Sequence, residues 1–558
     1  MSSPASAGPL FLGLDLSTQQ LKAVLLDKDS NIVHEAAVHF DRDLPHHGTT
    51  NGAIQGPDQG EVTSPVAMWI EAIDLLCQRL ADGNVDFKAI ASVSGAGQQH
   101  GSVYWSSSSD KLLASLDPSK SLAEQLSPGA FSSPKAPIWQ DSSTTEDCKK
   151  LEAEVGGAQA LADLTGSRAY ERFTGNQILR IRRKFPEIYD ATAHISLVSS
   201  FVASLFLGRI APIDISDASG MNLMDVLTCK WDDKLLEICG GPTLRAKLGE
   251  EPVIGGTALG RVSDWWVKRW GFNPDCIVAP FTGDNPATVM AVGAPGDALL
   301  SLGTSTTFLL SIPPSSAPPK RFTSSHLLAH PTALENKIAM LCYKNGALAR
   351  EQVRDRFANG QWQTFNELVE STPPGCNGTM GFYFPLPEII PPNVVGEYFF
   401  NTEAIKATAK PQLVAENVPP SIHPRAILES QFLSIRSRIA AMLPSDAPHL
   451  HRLVIGGGSS QNLIIRQLAA DLFGMDVYVS ATKEAAASGG AVLAKYAWWK
   501  QSHPDGSFEE MTNGEVAGLQ CVAKPRKEIS EIYNGLVSIY DACEKQVVDL
   551  WAARIEQN

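Results

Sequence analysis

Asp15 follows the apolar run Leu10 to Leu14 and precedes the hydroxyl-bearing turn Ser17-Thr18, with Lys22 on the return segment. A carboxylate there can hold Mg²⁺ through water while turn N–H groups approach a phosphate, or it can simply cap the turn. Asp284 lies just beyond a second apolar run, Cys276 to Phe281, and ahead of Asn285-Pro286. At the C-terminal end of a strand, where α/β enzymes gather reactive groups, it can act as general base toward a hydroxyl. An Asx turn supporting an Asn285 N-cap, with Pro286 at the first helical position, is the structural alternative.

A second hydroxyl-rich turn, Gly303-Thr304-Ser305, joins two apolar segments; it suits close backbone approach to phosphate, or is a plain hairpin turn. Further on, Leu453-Val454-Ile455 runs into Gly456-Gly457-Gly458-Ser459-Ser460 and then a helical stretch from Asn462, a strand, glycine turn and helix of the kind that binds phosphate or ribose. The run Ser94 to Gly101 looks like a dinucleotide fingerprint, but its sixth position is His100, so the GxGxxG pattern fails and a dehydrogenase is rejected. Gln98, Gln99 and His100 instead offer neutral donors and acceptors suited to hydroxyl groups, with an unliganded core histidine as the alternative. Arg168 and Arg172 would share a face if Ser167 to Phe173 were helical, one pairing with Glu171 and the other free to reach a ligand.

These residues need positioning elements. Alternation and polar turns predict an antiparallel meander of Leu10–Leu16, Leu21–Leu26 and Asn31–Phe40. Its opening hairpin recurs as Ala298–Leu302 and Thr306–Ile312, which suggests two related α/β domains, with a boundary after the helix ending at Val292. Ile195 to Leu207 has helical spacing and reads as a core helix, and Ile529 to Leu550 as another apolar stripe. Proline-rich stretches at 313–319 and 373–392, and the segment 44–65, read as surface connections outside the central sheets.

The chain has 558 residues, 44% apolar and 19% charged, which fits a multidomain globular enzyme. A net charge of −14 argues against nucleic acid. No segment suits a bilayer, and nine cysteines without metal or disulfide spacing, together with an N-terminus unlike a secretion signal, suggest the cytosol.

The order and spacing of Asp15 to Lys22, Thr282 to Pro286, Gly303 to Ser305 and Gly456 to Asn462 resemble the FGGY carbohydrate kinases over nearly the whole chain. The resemblance implies an α/β fold of two actin-like (ribonuclease H-like) domains with a deep interdomain cleft, 1–292 for sugar and 293–558 for nucleotide. It implies ATP and Mg²⁺ as cofactors, with Asp15 toward the metal and Thr18, Gly303 and Thr304 toward phosphates. Gly457, Gly458, Ser459 and Asn462 would lie along the nucleotide, with Trp362 on the adenine side. Gly97 to Gly101 and the stretch around Arg172 are similar to the family's xylulose kinase branch, so Gln99, His100, Arg172, Asp284 and Asn285 would contact the sugar. The implied reaction is phosphoryl transfer to the 5-hydroxyl of D-xylulose with Asp284 as base. Another ketose, a polyol or an aldonate would need few changes, and an actin- or Hsp70-like ATPase is the rival from another class. Many relatives carry Gly before the first-hairpin Thr, where this chain has Ser17.

Overall fold

A computed structural model of the chain describes residues 8–403, 411–414, 418–444, 450–514 and 518–556. The chain divides into two compact units. Unit 1 comprises Met1–Ala294, Leu327–Ile338 and Thr482–Ala517, and unit 2 comprises Pro295–His326, Ala339–Ala481 and Gly518–Asn558. Each is built on an actin-like (ribonuclease H-like) sheet.

Unit 1 opens with the expected meander, β1 (Leu10–Leu16), β2 (Gln20–Leu26) and β3 (Ile32–His39), paired antiparallel with Asp15 opposite Lys22. β4 (Ile90–Gly97) lies parallel to β1, with Asp15 opposite Ala96. Two short strands, β5 (Gly260–Arg261) and β6 (Ile277–Val278), extend the sheet to the order β5-β6-β4-β1-β2-β3, and β7 (Thr282–Gly283) pairs with the end of β4. Of the stretch Cys276 to Phe281 only Ile277–Val278 is a strand, and β7 begins beyond it at Thr282.

Side chains alternate across β1. Leu10, Leu12, Leu14 and Leu16 enter the larger core with Trp69, Trp105 and Phe201, while Phe11 faces Ala487, Ala491 and Ala494 on the other side. The period of two puts Gly13 and Asp15 on the Phe11 side. That face is covered by the helix Ala485–Trp499 from late in the chain. It approaches so closely that a Cβ on Gly13 would stand 2.0 Å from the Ala487 carbonyl oxygen, and one on Gly490 2.5 Å from Gly95 Cα. This packing draws 482–517 into unit 1.

The stretch Ile195 to Leu207 divides: Thr192–Leu197 is a strand paired with Ser102–Ser106, and only Val198–Leu207 is helical, buried along its whole length. Leu197 bonds within the ladder, and the Ser200 hydroxyl accepts its N–H at 3.1 Å, so the helix starts after it.

Unit 2 repeats the plan. β8 (Ala298–Leu302) and β9 (Thr306–Ile312) form the predicted hairpin, β10 (Arg452–Gly456) lies parallel to β8, and β11 (Asp476–Ser480) and β12 (Leu519–Ala523) follow. The helix Lys527–Glu556 buries Tyr533, Leu536, Ile539, Tyr540, Cys543 and Val547, but Ile532 is exposed, so the apolar stripe is narrower than its sequence pattern. Residues 313–319 carry no strand, and Thr379–Phe384 pairs only with Gly396–Asn401, outside the central sheet.

Alanine is the better helix former by about 0.8–1.0 kcal/mol. Even so, Gly490→Ala should lower the stability of unit 1 by about 1–3 kcal/mol through overpacking against Gly95. Urea titration followed by tryptophan fluorescence checks this; an unchanged or raised midpoint would refute the close packing.

Candidate active site

Three chain segments reach the same edge of the unit 1 sheet. The parallel register sets Leu16 beside Gly97, and β7 sets Gly283 beside Gly97 from the other side. Asp15, the loop Gln98–His100 and Asp284 therefore leave the sheet together.

Asp15 is 3% exposed. Its Oδ2 accepts the Ser17 hydroxyl at 2.5 Å and lies 3.5 Å from Lys22 Nζ, which also pairs with Glu484 at 2.7 Å. Its Oδ1 has no hydrogen-bond partner among the described residues. Burial raises the Asp15 pKa against the opposing effects of Lys22 and Ser17. A buried carboxylate oxygen without a donor suits a hard divalent cation, so the site fits Mg²⁺. Ser17, which precedes Thr18 in the turn, holds the carboxylate. Thr18 Oγ1 accepts the exposed Trp139 indole N–H at 2.8 Å and donates weakly to Gln98 Oε1 at 3.4 Å.

Asp284 is half-buried in the first turn of the helix Asp284–Val292. Its Oδ1 accepts the Asn285 backbone N–H at 2.9 Å and the Asn285 amide at 3.2 Å. Burial first, and then the Asp15 charge, push its pKa up to about 7. The Asn285 amide also donates to Gln99 Oε1 at 2.9 Å, which ties the two segments together. His100 holds φ at 73°, uncommon for a residue with a Cβ. Its Nδ1 donates to the Gly220 carbonyl at 2.8 Å, and its ring stacks on Phe173 at 4.4 Å. Burial, followed by Arg172, lowers its pKa to about 3, so the ring is neutral and Nε2 is an acceptor. The Arg172 guanidinium lies 4.9 Å over the Tyr170 ring and 5.6 Å over that of Phe173, beside this histidine.

Two buried acids that sequence reasoning missed lie behind the set. Asp214 Oδ1 accepts Thr282 Oγ1 at 2.5 Å, and Asp217 Oδ2 accepts Ser199 Oγ at 2.5 Å. Burial pushes Asp214 up to about 7 and Asp217 well above the usual carboxylate range, the latter helped by Asp214 and Asp284. Their only signal was two acids spaced three apart among Ile213, Ile215 and Ala218.

In unit 2 the glycine turn meets the second hairpin. A Cβ on Gly457, whose φ is 81°, would stand 2.9 Å from the Gly303 nitrogen, so Gly303-Thr304 and Gly457-Gly458-Ser459 share one surface. Asn462 caps the helix Leu463–Phe473, its Oδ1 accepting from Ile464 N–H at 3.0 Å while its amide donates to Asn366 at 2.8 Å. Asn366 belongs to the helix Trp362–Ser371, whose first residue, Trp362, has Arg354 4.9 Å over its ring.

The sequence matches the N-terminal domain of the FGGY family of carbohydrate kinases over residues 134–291 and the C-terminal domain over 298–498. The chain belongs to the FGGY family of carbohydrate kinases. A probable D-xylulose kinase A of Neosartorya fischeri is 42% identical over 98% of this chain and 100% of its own. A xylulose kinase of Mus musculus is 41% identical, covering 96% of this chain and 94% of its own. A solved ligand-bound xylulose kinase from Lactobacillus acidophilus has a TM-score of 0.75 over 98% of this chain and 99% of its own; at 16% identity this bears on the fold alone.

In this FGGY kinase two local expectations fail. Asn285 is not an N-cap: the helix begins at Asp284, with Gly283 before it, because Asp284 Oδ1 itself takes the Asn285 N–H and frees the Asn285 side chain for Gln99. Ser167 to Phe173 is irregular, not helical. Glu152 holds it open by accepting Arg168 Nε–H and Ala169 N–H, both at 3.1 Å, so Arg168 does not pair with Glu171.

A carboxyl whose folded pKa is raised to about 7 from 3.8 contributes stability below pH 4 that is lost as pH rises through 7. Asp284→Asn removes that dependence. Thermal melts of the metal-free protein should therefore shift in favour of the Asn variant between about pH 5 and pH 8. A constant difference across that range would contradict the raised pKa.

Proposed function

We propose that this FGGY kinase transfers the γ-phosphoryl group of ATP to the 5-hydroxyl of D-xylulose, giving D-xylulose 5-phosphate and ADP. The observation that carries the reading is the meeting at one sheet edge of the Asp284 carboxylate with hydroxyl-binding groups on Gln99, Asn285 and His100. Full-length identity to proteins named xylulose kinases supports the choice of sugar.

The hydroxyl proton passes to Asp284 as its oxygen forms a bond to the γ-phosphorus and the bond from that phosphorus to the β,γ-bridging oxygen breaks. A base titrating near the working pH accepts and releases that proton with little penalty. Gln99, Asn285, the neutral His100 Nε2 and Arg172 hold the remaining hydroxyls, and Asn285 fixes Asp284 in orientation. Asp15 would hold Mg²⁺, with Ser17 and Lys22 steadying its other oxygen. The ion, when bound, neutralises charge on the phosphoryl oxygens.

Thr18 faces the phosphates from the first hairpin. Gly303, Thr304, Gly457, Gly458 and Ser459 offer backbone N–H groups and hydroxyls to the nucleotide, with Asn462 and Trp362 on its base side. The reading assigns the enzyme to the cytosol, in keeping with cysteines that form no disulfide among the described residues; no helix among those residues is long and apolar enough to cross a membrane.

Initial rates of ADP release across pentuloses, polyols and aldonates test the substrate. D-xylulose should give the highest kcat/KM; sugar-independent turnover would instead identify an ATPase. Asp284→Asn should lose at least about 10²-fold in kcat, the usual worth of a positioned base. A folded Asn variant keeping more than about a tenth of wild-type kcat would remove Asp284 from the chemistry.

A further inference from the structure

Arg350 is 0% exposed. One of its terminal nitrogens donates to Gln431 Oε1 at 2.7 Å, the other to Ser459 Oγ at 3.3 Å, and Nε has no partner. Among the described residues no carboxylate pairs with it, and its neighbour Glu351 is exposed. It also lies in the first turn of the helix Ala347–Phe357, where the helix end is itself positive. An ionised group buried among neutral acceptors at the positive end of a helix is costly unless something supplies negative charge.

The surroundings show where that charge would come from. Ser459 belongs to the glycine turn. Gln431 donates to the carbonyls of Asn345 at 2.8 Å and Gly346 at 3.1 Å, and the next N–H, that of Ala347, donates to the carbonyls of Gly303 and Thr304, both at 3.1 Å. Gly346 is pressed onto the hairpin, where a Cβ would stand 2.8 Å from the Thr304 carbonyl oxygen. Arg350 thus braces both turns, directly on one side and through Gln431 on the other.

We propose that Arg350 is a positioning residue for the polyphosphate of the nucleotide, fixing the spacing of turns 303–305 and 457–459 and supplying the charge that makes this surface select phosphorylated nucleosides. The proposal rests on reading these turns as the nucleotide site. Burial lowers its pKa to about 10, which still leaves it charged at neutral pH.

Calorimetric titration of wild type and Arg350→Met with ADP and with adenosine tests this. ADP binding should weaken about tenfold or more, as expected for loss of a charged contribution, while adenosine changes less than about twofold. KM for the sugar should hold, and the melting temperature should stay level or rise, since an unpaired buried charge has been removed. Equal weakening of both ligands, or a lower melting temperature with ADP binding intact, would mark a purely structural residue and overturn the proposal. Inorganic tripolyphosphate gives a readout that does not need the Met variant to fold. It should raise the melting temperature of wild type and of Arg350→Lys; no rise in wild type overturns the proposal. Wild type that phosphorylates nothing and yet binds tripolyphosphate would instead fault the kinase reading and leave Arg350 as an anion-site residue.

Discussion

The parallel ladder between β1 and β4 is the constraint on which the rest depends. It sets Asp15 beside Ala96 and Leu16 beside Gly97, so the segments that follow both strands start from one line. β7 then adds to the end of β4 and delivers Asp284 to the same edge. A slip of one residue would turn Asp15 to the opposite face and send Leu14 or Leu16 into polar surroundings. The leucines on one face and Phe11 on the other oppose that slip, so apolar burial guards the placement of a carboxylate it never touches.

Charge is handled differently in the two units. Around Asp284 the acids are crowded and desolvated, and their pKa values rise, while that of His100 falls. Asp15 keeps a near cation, Lys22, which Glu484 shares. In unit 2 the sign is reversed, with a buried guanidinium held by a glutamine and a serine. One unit limits negative charge within its cluster of buried acids, and the other stores positive charge beside its glycine turn.

How much of this was legible depended on the range of the physics involved. The hairpins could be read because strand alternation and turn residues act over a few positions, and Asp15 and Asp284 could be picked out because carboxylates beside strand ends are few. The start of the Asp284 helix was misread because Asn-Pro is a strong local start signal, overruled here by the tie between Asn285 and Gln99. Ser167 to Phe173 was misread because Glu152, fifteen residues upstream of Ser167, decides its conformation. Asp217 gave only the weak signal of an acid among apolar neighbours and Arg350 none, since a charged residue in a helix reads as a surface residue until the partners that enclose it are known. The return of Ala485–Trp499 to unit 1 was also hidden, because a run of Ala, Ser and Gly carries no address until it meets Gly13 and Gly95.

That return has a consequence for biosynthesis. As the chain leaves the ribosome, β1 to β7 emerge first, but the face of the sheet that carries Phe11 and Gly13 stays uncovered until residue 499 has been made. Domains ordinarily complete themselves in order of synthesis. Here the unit begun first is closed late, after β8 to β11 of the other unit have left the exit tunnel, so its sheet cannot bury both faces until most of the chain has been translated.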